Sequence, residues 1–371
     1  MSVLNAEEKM LLDAASSWSE SRRAPRQHGG RDGGIAHDLI HYEDMIDMGW
    51  TGILVPEAYG GSEFGLGGLA IVLEQLGRNL ISSPLLPSAL GAVSAVRLAG
   101  SAEQQAHWLP RLATGVTIGA VALEESGSRD PLRPTARVDR DGDGWLLNGE
   151  KRPVPHGMAA HVAIVSATAS WEPDSVRLLI VPLDAPGVQR SMLRQIDGRD
   201  TASYRFQDVR LGDEYMLGAD DAAAVLDEVL DRLRAGLAVE MLGMASKAFS
   251  TTLEYLKMRV QFGRTIGSFQ ALQHRAAEIY GELELARSAV EAAVVALETA
   301  DSERRELVSL AKCLMGETLR LVTNEMIQMH GGIGMTDEHE AGLYLKRARV
   351  SDFTFGNTTF HRERYARLTG H

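Results

Sequence analysis

Two short strings hold the residues of this chain whose types and spacing suit phosphate-binding chemistry. Residues 259–274 read RVQFGRTIGSFQALQH, and residues 328–335 read QMHGGIGM. The first string begins with a cation, Arg259, and the second contains the adjacent glycines Gly331 and Gly332. A diphosphate needs a cation and open backbone amides, and glycine removes the side chain that would block them. Together the strings predict a site for a diphosphate-bearing ligand.

The elements that must position these strings are long helices in the C-terminal part of the chain. Apolar residues recur at helical spacing over residues 223–259, 269–299 and 339–352, so the first string joins two helices. Another helix ends in the second string, because seven apolar residues lie three and four apart along one face: Val308, Ala311, Met315, Leu319, Val322, Met326 and Met329. Four antiparallel helices with short connections predict a bundle. Cys313 lies in this region and is expected to be a buried structural thiol.

The hydrophobic period changes in the preceding part of the chain. Between residues 119 and 212, short apolar stretches such as VAIVSA and RLLIVPL alternate with Gly, Pro and Asp, which predicts strands and turns. Before this region, apolar residues have helical spacing over residues 6–19, 38–49, 67–77 and 102–113. We therefore expect an α+β protein with three domains, at residues 1–118, 119–219 and 220–371.

Composition excludes several classes of protein. With 371 residues, 44% of them hydrophobic and 24% charged, the chain has the composition of an ordinary globular protein of two or three subdomains. Its formal charge of -12 argues against nucleic acid as a partner, because binding a polyanion needs clustered Lys and Arg. The N-terminus lacks a basic start and a long apolar core, so a cytoplasmic protein without a membrane span is expected.

Nearly the whole chain resembles the acyl-CoA dehydrogenase family. Besides the two strings above, the resemblance rests on MGWTGILVPEAYGGSEFGLGGLAIVLEQLGRNL near the N-terminus and on LPRLATGVTIGAVALEESGSRD and DGDGWLLNGEKRPVPHGMAAHVAIVSA further along. Each string is a weak signal, but their order and distances make a chance match very unusual. The resemblance implies an N-terminal helical domain, a central β-barrel-like domain and a C-terminal four-helix bundle.

The resemblance also implies FAD as cofactor and an oligomer, as dimer or tetramer. In the family, one half of the FAD site reaches across a subunit contact, and the matching residues here are Arg259, Gln261, Phe262, Gln270, Gln328, Gly331 and Gly332. The alternative for Arg259 and Gln261 is that they are solvated residues at a helix end.

The other half of the implied flavin site departs from the family pattern. Leu123 stands where a threonine is typical, and Ser128 lies in the string that matches a Gly-Ser-Asp. Pro153, Val154 and Pro155 replace a Trp-Ile-Thr stretch that contacts the flavin ring. Proline removes a backbone donor, and Leu123 lacks the hydroxyl. Contacts on this face must therefore come from other backbone groups or be absent.

The implied substrate is an acyl-CoA thioester. The run LDRLRAGLAVEMLG resembles the family helix whose aspartate and arginine contact this ligand, here Asp231 and Arg234. An arginine there would hydrogen-bond the pantetheine or a phosphate. The alternative is a surface ion pair three residues apart, with a contribution of a few tenths of a kcal/mol.

The catalytic base is where the resemblance breaks. In the family, a glutamate removes the α-proton of the thioester while the β-hydride passes to flavin N5. Phe355 occupies that position, and Leu233 occupies the position used by a smaller set of members. Substitute carboxylates are Glu240, Asp352 and Glu363. We expect Glu240 to be buried and paired with an arginine, and the other two to be surface or capping charges.

One branch of the family explains the missing base. Some members are heterotetramers in which one chain supplies the glutamate and a homologous chain lacks it, and the ending HRERYARL and the string PVPHG resemble the base-lacking kind. The chain would then work with a glutamate-bearing homologue and pass electrons to an acceptor flavoprotein. Two alternatives stay open: a homo-oligomeric flavoenzyme for another oxidation, and a non-catalytic scaffold. The acyl group is not predicted.

Overall fold

The computed structural model describes residues 4–22, 39–126, 130–218 and 221–371. The chain forms two compact units. The first contains the described residues of 1–30, 66–81 and 234–371, and the second contains those of 31–65 and 82–233.

The α-helices and strands are numbered in chain order. The α-helices of the described residues are α1 (Ala6–Ser21), α2 (Tyr42–Asp47), α3 (Gly65–Arg78), α4 (Val93–Ala99), α5 (Ala102–Ala113), α6 (Ala223–Met258), α7 (Gln270–Glu298), α8 (Arg304–His330), α9 (Ala341–Phe353) and α10 (Thr358–Leu368). The strands are β1 (Gly119–Ala122), β2 (Arg137–Asp141), β3 (Gly144–Pro155), β4 (Val162–Ala169), β5 (Glu172–Pro182), β6 (Val188–Met192), β7 (Thr201–Gly212), β8 (Met216–Leu217), β9 (Val260–Gln261) and β10 (Arg264–Thr265).

The first unit is a helical bundle in which α8 packs against α7, α9 and α10. The predicted apolar face of α8 is buried at all seven positions, from Val308 to Met329, which confirms the expected bundle core. Cys313 is also buried, and burial raises the pKa of its thiol, as expected for a structural cysteine. The structure adds α10, a helix that the sequence did not predict.

Helices α3 and α6 cross at glycines. A Cβ on Gly77 would collide with the carbonyl of Glu240, and a Cβ on Gly243 would collide with the carbonyl of Glu74. The two backbones therefore touch, and any larger residue at either glycine would push the helices apart. Arg287 of α7 lies near the same crossing, 3.4 Å from a carboxylate oxygen of Glu74.

The second unit contains one sheet in the order β6-β7-β3-β2-β4-β5-β8, with β1 also paired to β4. Most neighbours are antiparallel, such as β3 with β7 and β4 with β5, whereas β1 and β2 run parallel to β4. This sheet confirms the predicted β-region and differs from a parallel nucleotide-binding sheet. Its core includes Val138, Leu147, Val165, Leu179 and Phe206.

Two N-terminal elements differ from the expectation. Residues 86–92 form a π-helical segment that continues into α4, where no helix was predicted. Every residue of this segment is buried, so it has no polar face to reveal a helical period. Of the helix expected over residues 38–49, residue 38 lies outside the described residues, and the described part contains α2 at Tyr42–Asp47. Among the described residues, no helix combines the length and apolar character needed to cross a membrane.

Candidate functional site

A β-hairpin between α6 and α7 forms the first part of the first predicted string. Each of its strands, β9 and β10, has two residues. Its strands pair Val260 with Thr265 and Gln261 with Arg264, and its turn contains Phe262 and Gly263, both with left-handed backbone (φ of 54° and 76°). The Phe262 side chain is 91% exposed. Such exposure is unusual for phenylalanine, so this turn presents an apolar tip to its surroundings.

Aromatic contacts bring the second string to the same end of the bundle. The rings of Tyr255, near the end of α6, and His330, the last residue of α8, lie 4.3 Å apart, and the Tyr255 hydroxyl donates to the His330 carbonyl at 3.4 Å. His339 stacks on His330 with a ring distance of 4.2 Å. Since Arg259 follows Tyr255 by one helical turn, both predicted strings lie at one end of the bundle.

An ion pair places two of the three predicted glutamines, Gln270 and Gln328, at this end as well. Arg275 of α7 donates from Nε to Glu325 of α8 at 2.7 Å. Gln270 precedes Arg275 by less than two turns, and Gln328 follows Glu325 by less than one. The seven residues predicted for this half-site are thus grouped, and all of them are exposed: Arg259, Gln261, Phe262, Gln270, Gln328, Gly331 and Gly332. We call this surface the bundle end.

The glycines of the bundle end leave space for an incoming group. Gly331 has a φ of 64°, which favours glycine for backbone reasons. Gly332 has no positive φ, and a Cβ built on it would meet nothing within 4 Å. Packing among the described residues therefore does not require glycine at position 332, and its backbone is open to an external group. With the exposed cation of Arg259, these residues fit a diphosphate-bearing cofactor such as FAD.

The second half of the predicted flavin site lies in the sheet unit. Leu123 directly follows β1 and is buried, and Val154 near the end of β3 is buried as well. The two segments touch, because the Arg152 amide donates to the Glu124 carbonyl at 2.9 Å. Ser128 lies outside the described residues. The structure thus joins the two altered segments but offers no side-chain hydroxyl at Leu123.

A buried ion pair strengthens this junction. Lys151 Nζ lies 2.6 Å from Glu125 Oε1, with the side chains 0% and 4% exposed, and also donates to Ser166. Burial lowers the pKa of Lys151 to about 8, against the opposing effect of Glu125. Burial alone would raise the pKa of Glu125, but Lys151 and the hydrogen bonds from Thr135 and Ala136 bring it below the ordinary value.

The predicted substrate residues are not on the surface. The Asp231 side chain is fully buried and Arg234 is 1% exposed, so the alternative of a surface ion pair is wrong. The helix α6 is buried on most sides in this region, which leaves no exposed face for them. Arg234 Nε donates to the carbonyl of Phe355 at 3.3 Å, and its guanidinium lies 5.4 Å from the Phe360 ring centre. The structure thus links a predicted substrate residue to the predicted base position.

Both positions predicted for the family base hold buried apolar side chains. Phe355 is 3% exposed and has a left-handed backbone with a φ of 57°. Leu233 is fully buried and lies against Gly91 of the π-helical segment, where a Cβ would meet its methyl group. Neither side chain accepts a proton, so the site positions themselves supply no general base.

The turn that carries Phe355 is held by residues that sequence reasoning missed. Lys312 of α8 is fully buried, and its amine donates to the carbonyls of Ser351, Asp352 and Gly356 at 3.0, 3.0 and 3.1 Å. His361 Nε2 lies 3.1 Å from the Phe355 carbonyl. A carbonyl only accepts, so Nε2 carries the proton. The one available signal was a lysine four residues after Val308, on the buried face of α8.

The three substitute carboxylates have the predicted structural roles. Glu240 is buried, and its Oε1 lies 3.9 Å from a guanidinium nitrogen of Arg347, which confirms the expected arginine pair. Asp352 accepts from the amide and hydroxyl of Thr358 and so caps the start of α10. Glu363 is exposed.

Comparison with known proteins identifies the family. Profiles of three acyl-CoA dehydrogenase domains match consecutive parts of the chain: the N-terminal domain over residues 5–116, the middle domain over residues 120–209 and the C-terminal domain over residues 223–369. The acyl-CoA dehydrogenase IpdE2 of Mycolicibacterium smegmatis is 31% identical, over 94% of each chain. The chain belongs to the acyl-CoA dehydrogenase family.

Other relatives extend the comparison over the full length. The acryloyl-CoA reductase (NADH) of Anaerotignum propionicum is 28% identical over 98% of this chain and 94% of its own. A solved structure of the Tcur3481-Tcur3483 steroid acyl-CoA dehydrogenase superimposes with a TM-score of 0.88 at 32% identity, covering 98% of this chain and 97% of that one. Membership in the acyl-CoA dehydrogenase family places the chain among oxidoreductases that act on CH–CH groups of acyl-CoA thioesters.

Proposed function

We propose that this acyl-CoA dehydrogenase homologue is an FAD-dependent subunit that lacks its own base and works with a homologue that has one. The observation that carries the proposal is Phe355, a buried phenylalanine at the position of the family glutamate. The second known position, Leu233, is also apolar and buried. A chain without a carboxylate at either position has no group to take the α-proton of a CoA thioester.

The exposed bundle end supports the role of a contributing subunit. Arg259 would pair with the diphosphate of FAD held by the neighbouring subunit, and Gly332 would let that diphosphate approach the backbone. Gln261, Gln270 and Gln328 would donate amide hydrogen bonds to the same cofactor. When bound, FAD supplies the acceptor for the β-hydride of the thioester. The residues of this chain would hold the cofactor, while the partner's carboxylate would take the proton.

The comparisons support a two-chain assembly. The name of the solved relative Tcur3481-Tcur3483 joins two proteins in one steroid acyl-CoA dehydrogenase. We therefore propose a hetero-oligomer, as dimer or tetramer, that acts on an acyl-CoA thioester and passes electrons to an acceptor flavoprotein. Asp231 and Arg234 are the residues we assign to the CoA ligand, because their run LDRLRAGLAVEMLG resembles the family helix whose aspartate and arginine contact it.

The test is turnover of several CoA thioesters with an artificial electron acceptor. The purified chain alone is expected to be nearly inactive, and co-expression with a glutamate-bearing homologue is expected to give activity. The matched control is the same homologue with its glutamate replaced by glutamine, which should abolish activity of the mixture. Rapid turnover by the chain alone would refute the proposal, and so would a mixture no more active than the homologue by itself.

A further inference from the structure

The turn at residues 351–356, which begins with the last three residues of α9, contains one residue whose backbone its own side chain disfavours. Phe355 has a φ of 57° and Gly356 a φ of 100°. The left-handed region is costly for a bulky residue, and such residues persist only where the surroundings impose the conformation. The surroundings of this turn must therefore supply contacts that fix its backbone independently of the side chain at position 355.

Lys312 supplies most of these contacts. One fully buried amine donates to three carbonyls of the turn, from Ser351, Asp352 and Gly356. An ammonium has three donor hydrogens, so the three acceptors use all of them. Each bond is charge-assisted and lies in a low-dielectric interior, where it is stronger than a neutral bond.

Around position 355, the contacts of the turn involve backbone groups and not the phenyl group. The Phe355 carbonyl accepts from Arg234 and His361. Gly356 packs so closely that a Cβ would collide with the Phe360 ring and approach His361 Nε2 to 2.9 Å. Gly316 of α8 lets Asp352 and Thr358 approach that helix equally closely. None of these contacts depends on the phenyl group, so the same backbone would form with another residue at position 355.

We infer that Lys312 is a positioning residue that keeps the turn at residue 355 in the conformation needed to present a general base, although this chain carries none there. The inference rests on the proposed function only in taking position 355 as the family base position. A carboxylate introduced there would take the α-proton of a bound thioester and leave the C–H electron pair on the α-carbon as the enolate. In heavy water the carboxyl would exchange that proton for a deuteron from the solvent and return the deuteron to the α-carbon, so no oxidant is consumed.

The first experiment measures peptide-level hydrogen exchange of residues 351–358 without any substrate. Lys312→Met should raise exchange at least tenfold in this segment and leave the protection of α7 unchanged, whereas Lys312→Arg should restore the slow exchange. Lys257→Met, at an exposed lysine near the end of α6, is the control and should change nothing here. Unchanged exchange in Lys312→Met would overturn the inference. Unfolding or loss of protection throughout the bundle would also overturn it, since Lys312 would then serve general stability.

The second experiment measures deuterium uptake at the α-carbon of butyryl-CoA in the FAD-loaded protein. Phe355→Glu should raise the uptake by about 100-fold or more, in the range of general-base catalysis. In the double variant Phe355→Glu with Lys312→Met, deuterium uptake should be at least tenfold slower than in Phe355→Glu alone. In the double variant with Lys312→Arg, it should equal that of Phe355→Glu alone. The inference is overturned if Phe355→Glu gives no uptake or if the Lys312→Met double variant matches it. Dehydrogenation by the unaltered chain alone would refute the proposed function instead, without affecting the hydrogen-exchange result.

Discussion

The bundle end and the turn at Phe355 are the regions predicted to hold the cofactor and the catalytic base, and they differ in exposure. At the bundle end, Arg259, Gln328 and Gly332 are exposed and leave open space before the backbone. At the turn, Phe355 is buried and its carbonyl accepts from Arg234 and His361, while the carbonyl of Gly356 accepts from Lys312. The first surface is open to an external group, and the second is closed on itself.

This difference fits the proposal that the bundle end faces another molecule. The polar side chains at the bundle end are exposed, whereas the turn has a buried apolar side chain at the predicted base position. A surface that binds the cofactor of a neighbouring subunit needs exposed polar groups. A buried position that does not contact substrate can hold an apolar side chain that packs against its surroundings. The following experiments test this contrast, in order of decreasing expected effect.

Matched glycine substitutions should separate the two regions by stability. Gly356→Ala places a Cβ against Phe360 at a φ of 100°, so it should lower the free energy of unfolding by about 3 kcal/mol, through overpacking and backbone strain. Gly332→Ala enters open space and should change the free energy by less than about 0.5 kcal/mol. Chemical denaturation of both variants provides the measurement. Equal effects would remove the distinction between an open and a closed region.

Arg259→Ala should weaken FAD retention in the assembled protein by about 10- to 100-fold, because the diphosphate loses a charge-assisted hydrogen bond. Flavin absorbance after dialysis gives the bound fraction. Arg320→Ala, at an exposed arginine on α8, is the matched control and should retain the flavin. If both variants hold FAD as tightly as the natural protein, Arg259 is a solvated surface charge.

Acid should lower the free energy of unfolding through His361, which contacts the turn at Phe355. Burial, together with the charges of Arg234, Lys312 and Arg364, holds the pKa of His361 well below its usual 6.5. Below pH 6.5, His361 binds a proton in the unfolded chain but stays neutral in the folded protein. The free energy of unfolding therefore falls as pH decreases, by at most about 1.4 kcal/mol per pH unit for this group. His361→Gln keeps an N–H donor and should flatten the dependence between pH 6.5 and 5. The exposed His274→Gln should not change the slope.

The smallest effect is expected from the most exposed aromatic residue. Phe262→Ala should leave the stability of the chain within about 0.5 kcal/mol, because its side chain is almost fully exposed. The same variant should reduce assembly, since an apolar tip of this kind is typical of an interface. Sedimentation velocity and thermal unfolding together distinguish the outcomes. A large loss of stability with unchanged assembly would show that Phe262 serves this chain alone.

The sequence predicted elements that have a polar and an apolar side. Helix α8 was predictable because Val308, Met315 and Val322 share one face. The π-helical segment at residues 86–92 was missed because all its residues are buried and no period remains. The alternative that Asp231 and Arg234 form a surface ion pair was wrong for a related reason. Charged residues usually indicate the exposed face of a helix, but this part of α6 is buried and has no such face.

The candidate site was predictable as residue types and less so as geometry. The grouping of Arg259 with Gln328 followed from the motifs, and contacts such as Tyr255 with His330 account for it. The burial of Lys312 had a signal in its place on the apolar face of α8, but its role had none, because its partners are backbone carbonyls 39 to 44 residues away. The left-handed backbone of Phe355 was equally hidden, since phenylalanine rarely adopts it.

The buried pair of Glu125 and Lys151 also constrains how this sequence can drift. Removing either partner leaves a lone charge in the interior, at a cost of roughly 3–5 kcal/mol, whereas replacing both by apolar residues is often neutral. A single substitution that removes one of the two charges therefore destabilises the fold. The two positions, 26 residues apart in the sequence, are energetically coupled, so the effect of a substitution at one depends on the residue at the other.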